Sequence, residues 1–474
     1  MRIFFSAFLI LFGTLYAEEA KPKVVVVGAG IAGLTTAYRL QQKEVETHVY
    51  EARNRVGGRI FTVKIGGKVA ELGGQNIADG GNAENLRRLI DEFDIELEEN
   101  RLPMNYSYFN QGTLIPGHLL NINHLDPEEL KDELKAIAQR SKNMREILNE
   151  LLEEDHPFYK VLSVRLAGYE GAPPEKLSPL YIETLYHMLL GGICSVHQGS
   201  GKESEIELVS IKEGNALLPE KLAEALWTPV HLNMPLASVT RAEDASYELL
   251  FQNGEKVKAD ILVMAVPCSV YSDIALDDVI PEEKLNDIKN IQYGTNGKIL
   301  VPLFQMPLKK MSYNNDRIAC YFGGKEPILT LYFTGESGKF TQETILETIE
   351  QERPTLEIGF ENLCPPLNPV FAQDMDFVSY EGPVGYSWPN DPFVKGSYSY
   401  VAPGQEELLT ATHEVDGEIV KTLFAPIDHT LFFAGEHATI LLDVPGTMEA
   451  ACESGERTAR MIEKSLRATE YSRL

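Results

Sequence analysis

Positive charge is scarce in this sequence: 43 lysine and arginine residues stand against 70 aspartate and glutamate residues, a formal net charge of −27. A chain this acidic repels nucleic acid phosphates and gains no attraction to anionic membrane surfaces. We therefore expect neither as a partner. The charge would attract cationic small molecules, but the simpler explanation, which we favour from the sequence, is solubility.

Cysteine is also rare, and its five positions follow no ligand or redox pattern. They are scattered, odd in number and without Cys-x-x-Cys spacing, which predicts neither a metal site nor a redox pair. We expect most of them to be small buried hydrophobic residues. The positions are Cys194, Cys268, Cys320, Cys364 and Cys452.

The sequence lacks a hydrophobic run long enough for an ordinary membrane span. Its apolar N-terminal run follows Arg2, ends near Leu15 and precedes the small residue Ala17. This pattern is typical of a signal peptide over residues 1–17, with export to the periplasm or secretion. An uncleaved N-terminal anchor is the alternative; after cleavage we expect no stable membrane span.

Low-complexity linkers and internal repeats are absent as well. The composition, 44% hydrophobic and 24% charged, is that of a globular protein. With ~150 residues per domain, a chain of 474 residues corresponds to about three folding units.

The strongest pattern begins with Val24–Val27, a run typical of a strand buried on both faces in a parallel sheet. Glycines in Gly-x-Gly-x-x-Gly spacing follow, ahead of a helical stretch. Gly28 permits a tight turn, Gly30 lets a pyrophosphate approach the backbone, and Gly33 allows close packing of helix on strand. The pyrophosphate then lies at the helix N-terminus.

A second predicted strand, 47–50, ends at Glu51, 23 residues after Gly28. An acid at this spacing accepts hydrogen bonds from ribose hydroxyls in dinucleotide-binding domains. Arg55 and Arg59 follow, and their charges are suited to neutralising phosphate. The alternative for each arginine is a solvated surface charge.

Farther along, Leu and Ile at helical spacing predict helices over 82–99 and 126–155. Asn253-Gly254 is a typical hairpin turn between strands. Strands are predicted over 236–240, 247–251 and 259–267.

Further motifs narrow the class of cofactor. The segments EARNRVGGR (51–59) and ELGGQN (71–76) are followed near the end of the chain by LFFAGEH (431–437) and GTMEAACESGER (446–457). Together they resemble the flavin-containing amine oxidase family, which includes monoamine, polyamine and L-amino-acid oxidases. The resemblance implies an α/β fold, in which a Rossmann-like FAD-binding domain is joined to a second, mixed α+β substrate domain.

The resemblance also implies that three distant stretches of chain converge on one cofactor. The FAD-binding domain would then be discontinuous, formed by residues 22–81, 206–290 and 425–470. The substrate-binding domain would take residues 82–205 and 291–424.

In the family's pattern, glycine backbones, the ribose acid, the following arginines and the start of the last helix contact FAD. Glu436 is expected at the ribityl chain, and the Val239 backbone at the adenine. The N–H groups of Thr447 and Met448 are expected at the flavin's pyrimidine oxygen. The implied set is Gly28, Gly30, Ile31, Ala32, Gly33, Glu51, Ala52, Arg53, Gly58, Arg59, Gly73, Gly74, Gln75, Val239, Gly435, Glu436, Thr447 and Met448.

The resemblance assigns three catalytic residues. Lys298, alone a solvated strand-end lysine, matches the family's lysine that reaches flavin N5 through a water and assists reaction with oxygen. Trp388 would form a wall of the site, and Tyr398 would form one side of an aromatic cage that keeps the amine desolvated and neutral.

Two residues depart from the family's pattern. Ser397 stands where relatives that attach FAD covalently carry cysteine, so FAD is expected to be non-covalent. Thr447 replaces the second cage aromatic, which leaves room for a longer or more polar amine.

The implied activity is that of an FAD-dependent oxidoreductase acting on CH–NH2 or CH–NH groups with O2 as acceptor. Hydride passes from the carbon beside the amine nitrogen to flavin N5, the imine hydrolyses, and O2 becomes H2O2. The acidic surface and the lack of an arginine beside Gln75 favour a primary amine or polyamine. L-amino-acid oxidation is one alternative, and an exported, non-catalytic FAD-binding interaction protein is another. A homodimer is left open.

Overall fold

The computed structural model describes residues 22–77, 83–99, 105–110, 113–116, 126–190, 209–305, 311–322, 326–341, 343–359, 370–371, 379–380, 382–441 and 445–473. The predicted signal peptide, Cys194 and Cys364 lie outside the described residues.

The helices and strands are numbered along the chain. The α-helices are α1 Ile31–Gln41, α2 Glu84–Glu92, α3 Pro127–Ala138, α4 Met144–Leu151, α5 Pro157–Glu170, α6 Ile182–Leu190, α7 Leu217–Glu224, α8 Glu282–Lys289, α9 Ile345–Gly359, α10 Glu406–Thr410 and α11 Met448–Arg473. The strands are β1 Val24–Val27, β2 Thr47–Tyr50, β3 Thr62–Ile65, β4 Lys68–Glu71, β5 Leu97–Glu99, β6 Asn105–Asn110, β7 Thr113–Pro116, β8 Val209–Ile211, β9 Leu236–Arg241, β10 Tyr247–Phe251, β11 Lys256–Ala259, β12 Ile261–Met264, β13 Gln292–Tyr293, β14 Gly297–Pro302, β15 Met311–Asn314, β16 Ile318–Phe322, β17 Ile328–Phe333, β18 Val370–Phe371, β19 Ser379–Tyr380, β20 Val384–Ser387, β21 Ser399–Tyr400, β22 Thr412–Val415, β23 Glu418–Lys421 and β24 Leu431–Phe433.

A parallel sheet joins three distant parts of the chain in the order β2-β1-β12-β24. The valines of β1 are at most 3% exposed, because both faces of the sheet are covered. Val24 and Val26 enter one hydrophobic core with α1 and α11, and Val25 and Val27 enter the core on the opposite face. This sheet confirms the predicted α/β class, while the domain boundaries stay a prediction.

A second, mixed sheet has the order β18-β20-β14-β17-β16-β15-β6-β7. Its strand β14 lies between β17 and β20, both antiparallel to it. The register places Lys298 opposite Tyr332 on one side and Tyr386 on the other. Helices α3 to α6 form a separate core that includes Phe158 and Leu185.

The stretch predicted as one helix over 126–155 is two helices, α3 and α4. The break occurs because the Asn143 side chain accepts a hydrogen bond from Glu146 N at 3.0 Å and so starts α4 as its N-cap. The prediction of a single helix was therefore wrong at this point.

The helix predicted over 82–99 also ends early, since α2 stops at Glu92 and 97–99 pairs with β8 as strand β5. The Asn253-Gly254 hairpin between β10 and β11 is confirmed, with Gly254 at φ +86°.

Other predicted features concern cysteine, membranes and metals. Cys268 and Cys452 are free and buried, as expected for small hydrophobic residues. Within the described ranges, no helix is both long and apolar enough to cross a bilayer. The same ranges hold no group of three or more His, Cys, Asp or Glu residues arranged as metal ligands.

We predict that Gly455→Ala lowers the free energy of unfolding by about 1–3 kcal/mol, the usual cost of overpacking a core. An added Cβ would lie 2.5 Å from Ala32 O, so α1 and α11 would have to separate. Gly168→Ala in α5 is the matched control, because its Cβ would meet Tyr332 at an ordinary 3.6 Å. Urea unfolding measures both variants; a Gly455→Ala variant as stable as the Gly168→Ala variant would contradict the close helix packing.

Candidate active site

The glycine turn between β1 and α1 has the geometry of an anion site. Gly28 has a φ of +108°, which glycine adopts without strain, and a Cβ on Gly33 would lie 2.1 Å from Gly28 O. The space beside Gly30 is open, with nothing within 4 Å of an added Cβ. The N-cap residue of α1 is Gly30, which has no side chain to cap the helix. The N–H groups of Ile31 and Ala32 have no partner inside the helix and are therefore available to a phosphate.

Glu51 lies at the end of β2 and is 4% exposed. Its Oε2 accepts a hydrogen bond from Ala29 N at 2.7 Å, and its Oε1 accepts one from Arg53 N at 3.0 Å. Ala52, between them, is partly exposed. A carboxylate has further acceptor capacity beyond these two bonds, so Glu51 can still receive a ribose hydroxyl.

The three arginines after Glu51 all bind groups of the protein itself. Arg53 pairs with the buried Asp391, and Arg59 pairs with Glu436 at 2.8 Å. Arg55 donates instead to carbonyl groups of its own loop. Direct contact between Arg55 and a phosphate would require breaking these bonds, so its predicted role is limited to its charge.

Glu436 follows Gly435 at the end of β24 and is 3% exposed. Besides Arg59, it accepts hydrogen bonds from Ser399 N at 3.1 Å and Ser399 Oγ at 2.7 Å. Burial opposes its ionisation, yet the Arg59 charge and these bonds lower the pKa of Glu436 below its ordinary value. Glu436 is therefore an anion that joins three parts of the chain, and its contact with a ribityl chain stays a prediction.

The N-terminus of α11 lies beside the glycine pair of the ELGGQN segment. Thr447 caps the helix, since its Oγ1 accepts a hydrogen bond from Ala450 N at 3.2 Å. Met448 lies against Gly74, whose added Cβ would be 3.2 Å from the Met448 side chain. Two segments predicted to contact the cofactor therefore meet here.

Val239 is the predicted cofactor residue that the structure does not bring to this place. Its N–H donates to Ala275 O at 3.0 Å, and its side chain is 1% exposed within a core. The backbone N–H is therefore not free to contact an adenine. Two other residues of this region lie next to Glu51: His231 O accepts a hydrogen bond from Glu51 N at 2.8 Å, and Met234 N donates to Glu51 O at 2.8 Å.

The residues present fit an FAD molecule. The open space at Gly30 is closed on one side by Gly58, whose Cβ position is 3.2 Å from Gly30 Cα. Gly73 must be glycine, because an added Cβ would lie 2.1 Å from Arg59 O. Ser397 Oγ is buried without a hydrogen-bond partner among the described residues. An uncapped helix end, glycine-lined space and an unpaired buried hydroxyl together suit a dinucleotide.

Lys298 is 5% exposed, so it is not the solvated lysine that its strand-end position alone would suggest. Its Nζ donates to Gly73 O at 2.7 Å, Glu71 O at 3.2 Å and Gln75 Oε1 at 3.3 Å. A lysine ammonium has three N–H donors, and these three acceptors match them. The amine is therefore held at a fixed place against one segment, 71–75.

Lys298 and Glu71 form a perturbed pair of titratable groups. Burial lowers the pKa of Lys298 to about 8, and the Glu71 charge opposes this shift. Burial also raises the pKa of Glu71 to about 7, although bonds from Asn215 N and Thr62 Oγ1 oppose it. Burial therefore shifts both pKa values toward neutral pH, as is common for acids and bases at functional sites.

Trp388 is fixed against the same segment, because its Nε1 donates to Leu72 O at 3.1 Å. Its ring lies tilted against Tyr386, with ring centroids 4.5 Å apart. The Tyr386 hydroxyl donates to Asp391, which also binds Arg53. Trp388 is thus a rigid wall next to the lysine strand.

Tyr332 lies near Lys298, and Tyr398 shares the Asn296 side chain with Tyr332. The Tyr398 hydroxyl donates to Gly168 O. Asn296 Nδ2 donates to Tyr398 Oη at 2.9 Å and to Tyr332 Oη at 2.7 Å. Lys298 Nζ is 5.8 Å from the centroid of the Tyr332 ring. Tyr332 is therefore a second aromatic residue at the place where the sequence suggested only one.

Sequence reasoning missed Tyr332, Asn296, Glu71 and Asp391. One signal was available for Asn296, which lies two residues before Lys298 and so on the same face of an extended chain. The place of Tyr332 depends on the pairing of β17 with β14, and that of Asp391 on a contact far along the chain. No local pattern indicates either one.

The chain is similar to known proteins over most of its length. A family model described as flavin containing amine oxidoreductase matches residues 31–303 and 371–462. Lysine-specific histone demethylase 1 homolog 2 of Oryza sativa subsp. japonica is 26% identical over 472 residues, covering 94% of this chain and 57% of the relative. Amine oxidase [flavin-containing] B of Homo sapiens is 25% identical over 475 residues, covering 93% of this chain and 86% of the relative. The chain spans 30–60% of the length of the histone demethylase homologues that it matches.

Two solved structures share the fold. Wild-type putrescine oxidase bound to putrescine has a TM-score of 0.69 at 20% identity, covering 94% of this chain and 99% of that one. Cyclohexylamine oxidase from Brevibacterium oxydans IH-35A has a TM-score of 0.69 at 19% identity, covering 94% of this chain and 100% of that one. The two-domain α/β architecture predicted from the sequence is thereby confirmed.

We predict that two alanine substitutions in the glycine turn affect different properties, one the stability of the protein and the other its affinity for FAD. Gly33→Ala places a Cβ 2.1 Å from Gly28 O and lowers the free energy of unfolding by about 1–3 kcal/mol. Gly30→Ala meets no atom within 4 Å, so it leaves unfolding unchanged. Its methyl group occupies space needed by the dinucleotide and weakens FAD binding about tenfold or more, ~1.4 kcal/mol.

Urea unfolding and titration with FAD measure the two effects separately. Unchanged FAD affinity in the Gly30→Ala variant would contradict the placement of the pyrophosphate.

Proposed function

The chain belongs to the flavin-containing amine oxidoreductase family, and we propose that it is an FAD-dependent oxidase of a small primary amine or polyamine. The observation that carries the proposal is Lys298, a buried amine held by three oxygen atoms beside a tyrosine pair. When bound, FAD supplies the electron acceptor that takes a hydride from the carbon beside the amine nitrogen.

The aromatic side chains prepare the substrate. Tyr332 and Tyr398 provide apolar surface, and Trp388 adds a buried wall next to Lys298. An amine enclosed by such surfaces loses hydration, which favours the neutral form, whose nitrogen lone pair is needed for oxidation. The chain thus contributes orientation and exclusion of water.

Lys298 serves the reaction with oxygen. Its positive charge stabilises negative charge that develops on the reacting oxygen, and its three fixed hydrogen bonds remove the need to reorganise. With its pKa lowered to about 8, the lysine is still largely protonated at neutral pH.

The charges favour an amine over an amino acid. Arg53 and Arg59 are bound to Asp391 and Glu436, and Arg55 to backbone carbonyls, so none of the three is free to bind a substrate carboxylate. The net charge of −27 attracts cationic amines to the protein. Putrescine oxidase and cyclohexylamine oxidase, which share the fold, are named for amine substrates, and this supports an amine as the substrate here. Serine rather than cysteine at position 397 supports non-covalent FAD.

Anaerobic reduction of the purified holoprotein tests this function. We expect a primary amine or polyamine to bleach the visible flavin absorption, and O2 to restore it with release of H2O2. Bleaching by L-amino acids alone would assign the alternative amino acid oxidase. Bleaching without recovery in O2 would make the protein a dehydrogenase, and no bleaching by any amine would contradict the proposed enzyme.

We predict that Lys298→Met slows reoxidation of the reduced protein by O2 at least tenfold, ~1.4 kcal/mol in barrier, and slows reduction by amine much less. In the wild type, reoxidation should slow as pH rises through about 8, because Lys298 then loses its charge. The variant should lose this pH dependence. Stopped-flow absorption measures both half-reactions; equal slowing of the two would remove Lys298 from the oxygen step.

A further inference from the structure

Asn296 lies at the centre of the hydrogen bonds that join the two tyrosines. It is 1% exposed and stands two residues before Lys298, immediately before β14. Its amide nitrogen is 2.7 Å from Tyr332 Oη and 2.9 Å from Tyr398 Oη. One buried side chain therefore contacts both aromatic residues of the site.

The hydrogen-bond directions follow from Tyr398. Burial raises the pKa of Tyr398 well above its ordinary value, so the phenol keeps its single hydrogen. That hydrogen is donated to Gly168 O. Toward Asn296 the hydroxyl can therefore only accept, and the amide must present Nδ2 rather than Oδ1. The second N–H of the amide is then directed to Tyr332.

The oxygen of the same amide has no hydrogen-bond partner among the described residues. An unpaired buried acceptor costs about 1–3 kcal/mol, and a leucine of similar size would avoid that cost. The arrangement thus sacrifices stability in order to keep two N–H donors at this place. An unpaired buried group in a native structure calls for an explanation, and a functional role is one such explanation.

The ring of Tyr398 is confined from other directions. Added Cβ atoms on Gly171 and Gly446 would lie 3.0 Å and 2.8 Å from it, so two glycine backbones enclose the ring. Asn296 and Gly168 fix the hydroxyl between them. Without Asn296, the hydroxyl would keep Gly168 O and the Tyr332 hydroxyl as partners but would lose the side chain that binds both tyrosines.

We propose that Asn296 is a positioning residue that orients Tyr332 and Tyr398 for amine binding and oxidation, and that it does not serve the oxygen reaction. The proposal rests on the proposed function. It assigns the two half-reactions to residues two positions apart in the chain: Asn296 acts through the tyrosines on the amine, and Lys298 acts on oxygen.

The test compares Asn296→Leu with Asn315→Ala in the holoprotein. Asn315 is also buried and belongs to the turn between β15 and β16 in the same sheet, where it donates to Glu352. It therefore controls for general loss of stability, followed by thermal unfolding. We expect Asn296→Leu to slow anaerobic bleaching by amine about tenfold or more and to change reoxidation by less than about twofold. Asn315→Ala should lower the melting temperature and leave bleaching unchanged.

A double-mutant cycle with Tyr398→Phe tests whether Asn296 acts through the tyrosine. The double variant Asn296→Leu/Tyr398→Phe should bleach about as slowly as the slower single variant. The proposal would be overturned if the double variant combined the two single effects multiplicatively, or if Asn296→Leu bleached at the wild-type rate. It would also be overturned if Asn296→Leu slowed both half-reactions equally.

Failure of the proposed function would appear separately, as a wild-type flavin that no amine bleaches. Asn296 would then be judged by amine binding, read as the shift of the flavin absorption spectrum on adding putrescine. A shift weakened in Asn296→Leu and not in Asn315→Ala would support the positioning role. An equal shift in both variants, or no shift in the wild type, would overturn it.

Discussion

The binding of Lys298 Nζ by the segment 71–75 is the interaction on which the rest of the site depends. A buried ammonium is costly unless it is fully hydrogen-bonded, and this segment supplies its three acceptors. Trp388 binds the same segment at Leu72 O, and the Asn215 side chain donates to its carbonyls at Gly74 and Gln75. These bonds hold the mixed sheet and the segment 71–75 in a fixed position relative to each other.

Buried ion pairs connect the remaining parts. Arg59 joins the segment after β2 to Glu436 at the end of β24, and Arg53 joins it to Asp391 beside β20. Both carboxylates are buried and both arginines are half-buried. Removing either arginine leaves an uncompensated buried carboxylate, which costs up to about 3–5 kcal/mol. The acidic surface is thus separate from the interior of the site, where positive and negative groups are matched one by one.

Local patterns predicted the parts of this protein that are formed locally. The valine strand, the glycine turn and the hairpin at Asn253-Gly254 follow from steric rules that act within a few residues. The break at Asn143 was missed because the helical spacing continues through it, although the asparagine is a good N-cap. The adenine contact of the Val239 backbone stays a prediction, and local patterns did not show that its N–H is bonded to Ala275 O.

Residues brought together by strand register were beyond local patterns. Tyr332 comes to Lys298 only because β17 pairs with β14 in one register, and a shift by one residue would turn it to the other face. The titration of Glu71 and Lys298 near neutral pH likewise arises from burial, which depends on the complete fold.

The central claim is that three separate stretches of chain, joined in the parallel sheet through β1 and β2, β12 and β24, enclose one FAD molecule without a covalent bond. The most direct measurement is the visible absorption of the purified protein before and after acid precipitation. The account predicts one flavin per chain, released into a yellow supernatant. A colourless protein that cannot be reconstituted with FAD would contradict it, and a yellow pellet would contradict the non-covalent attachment.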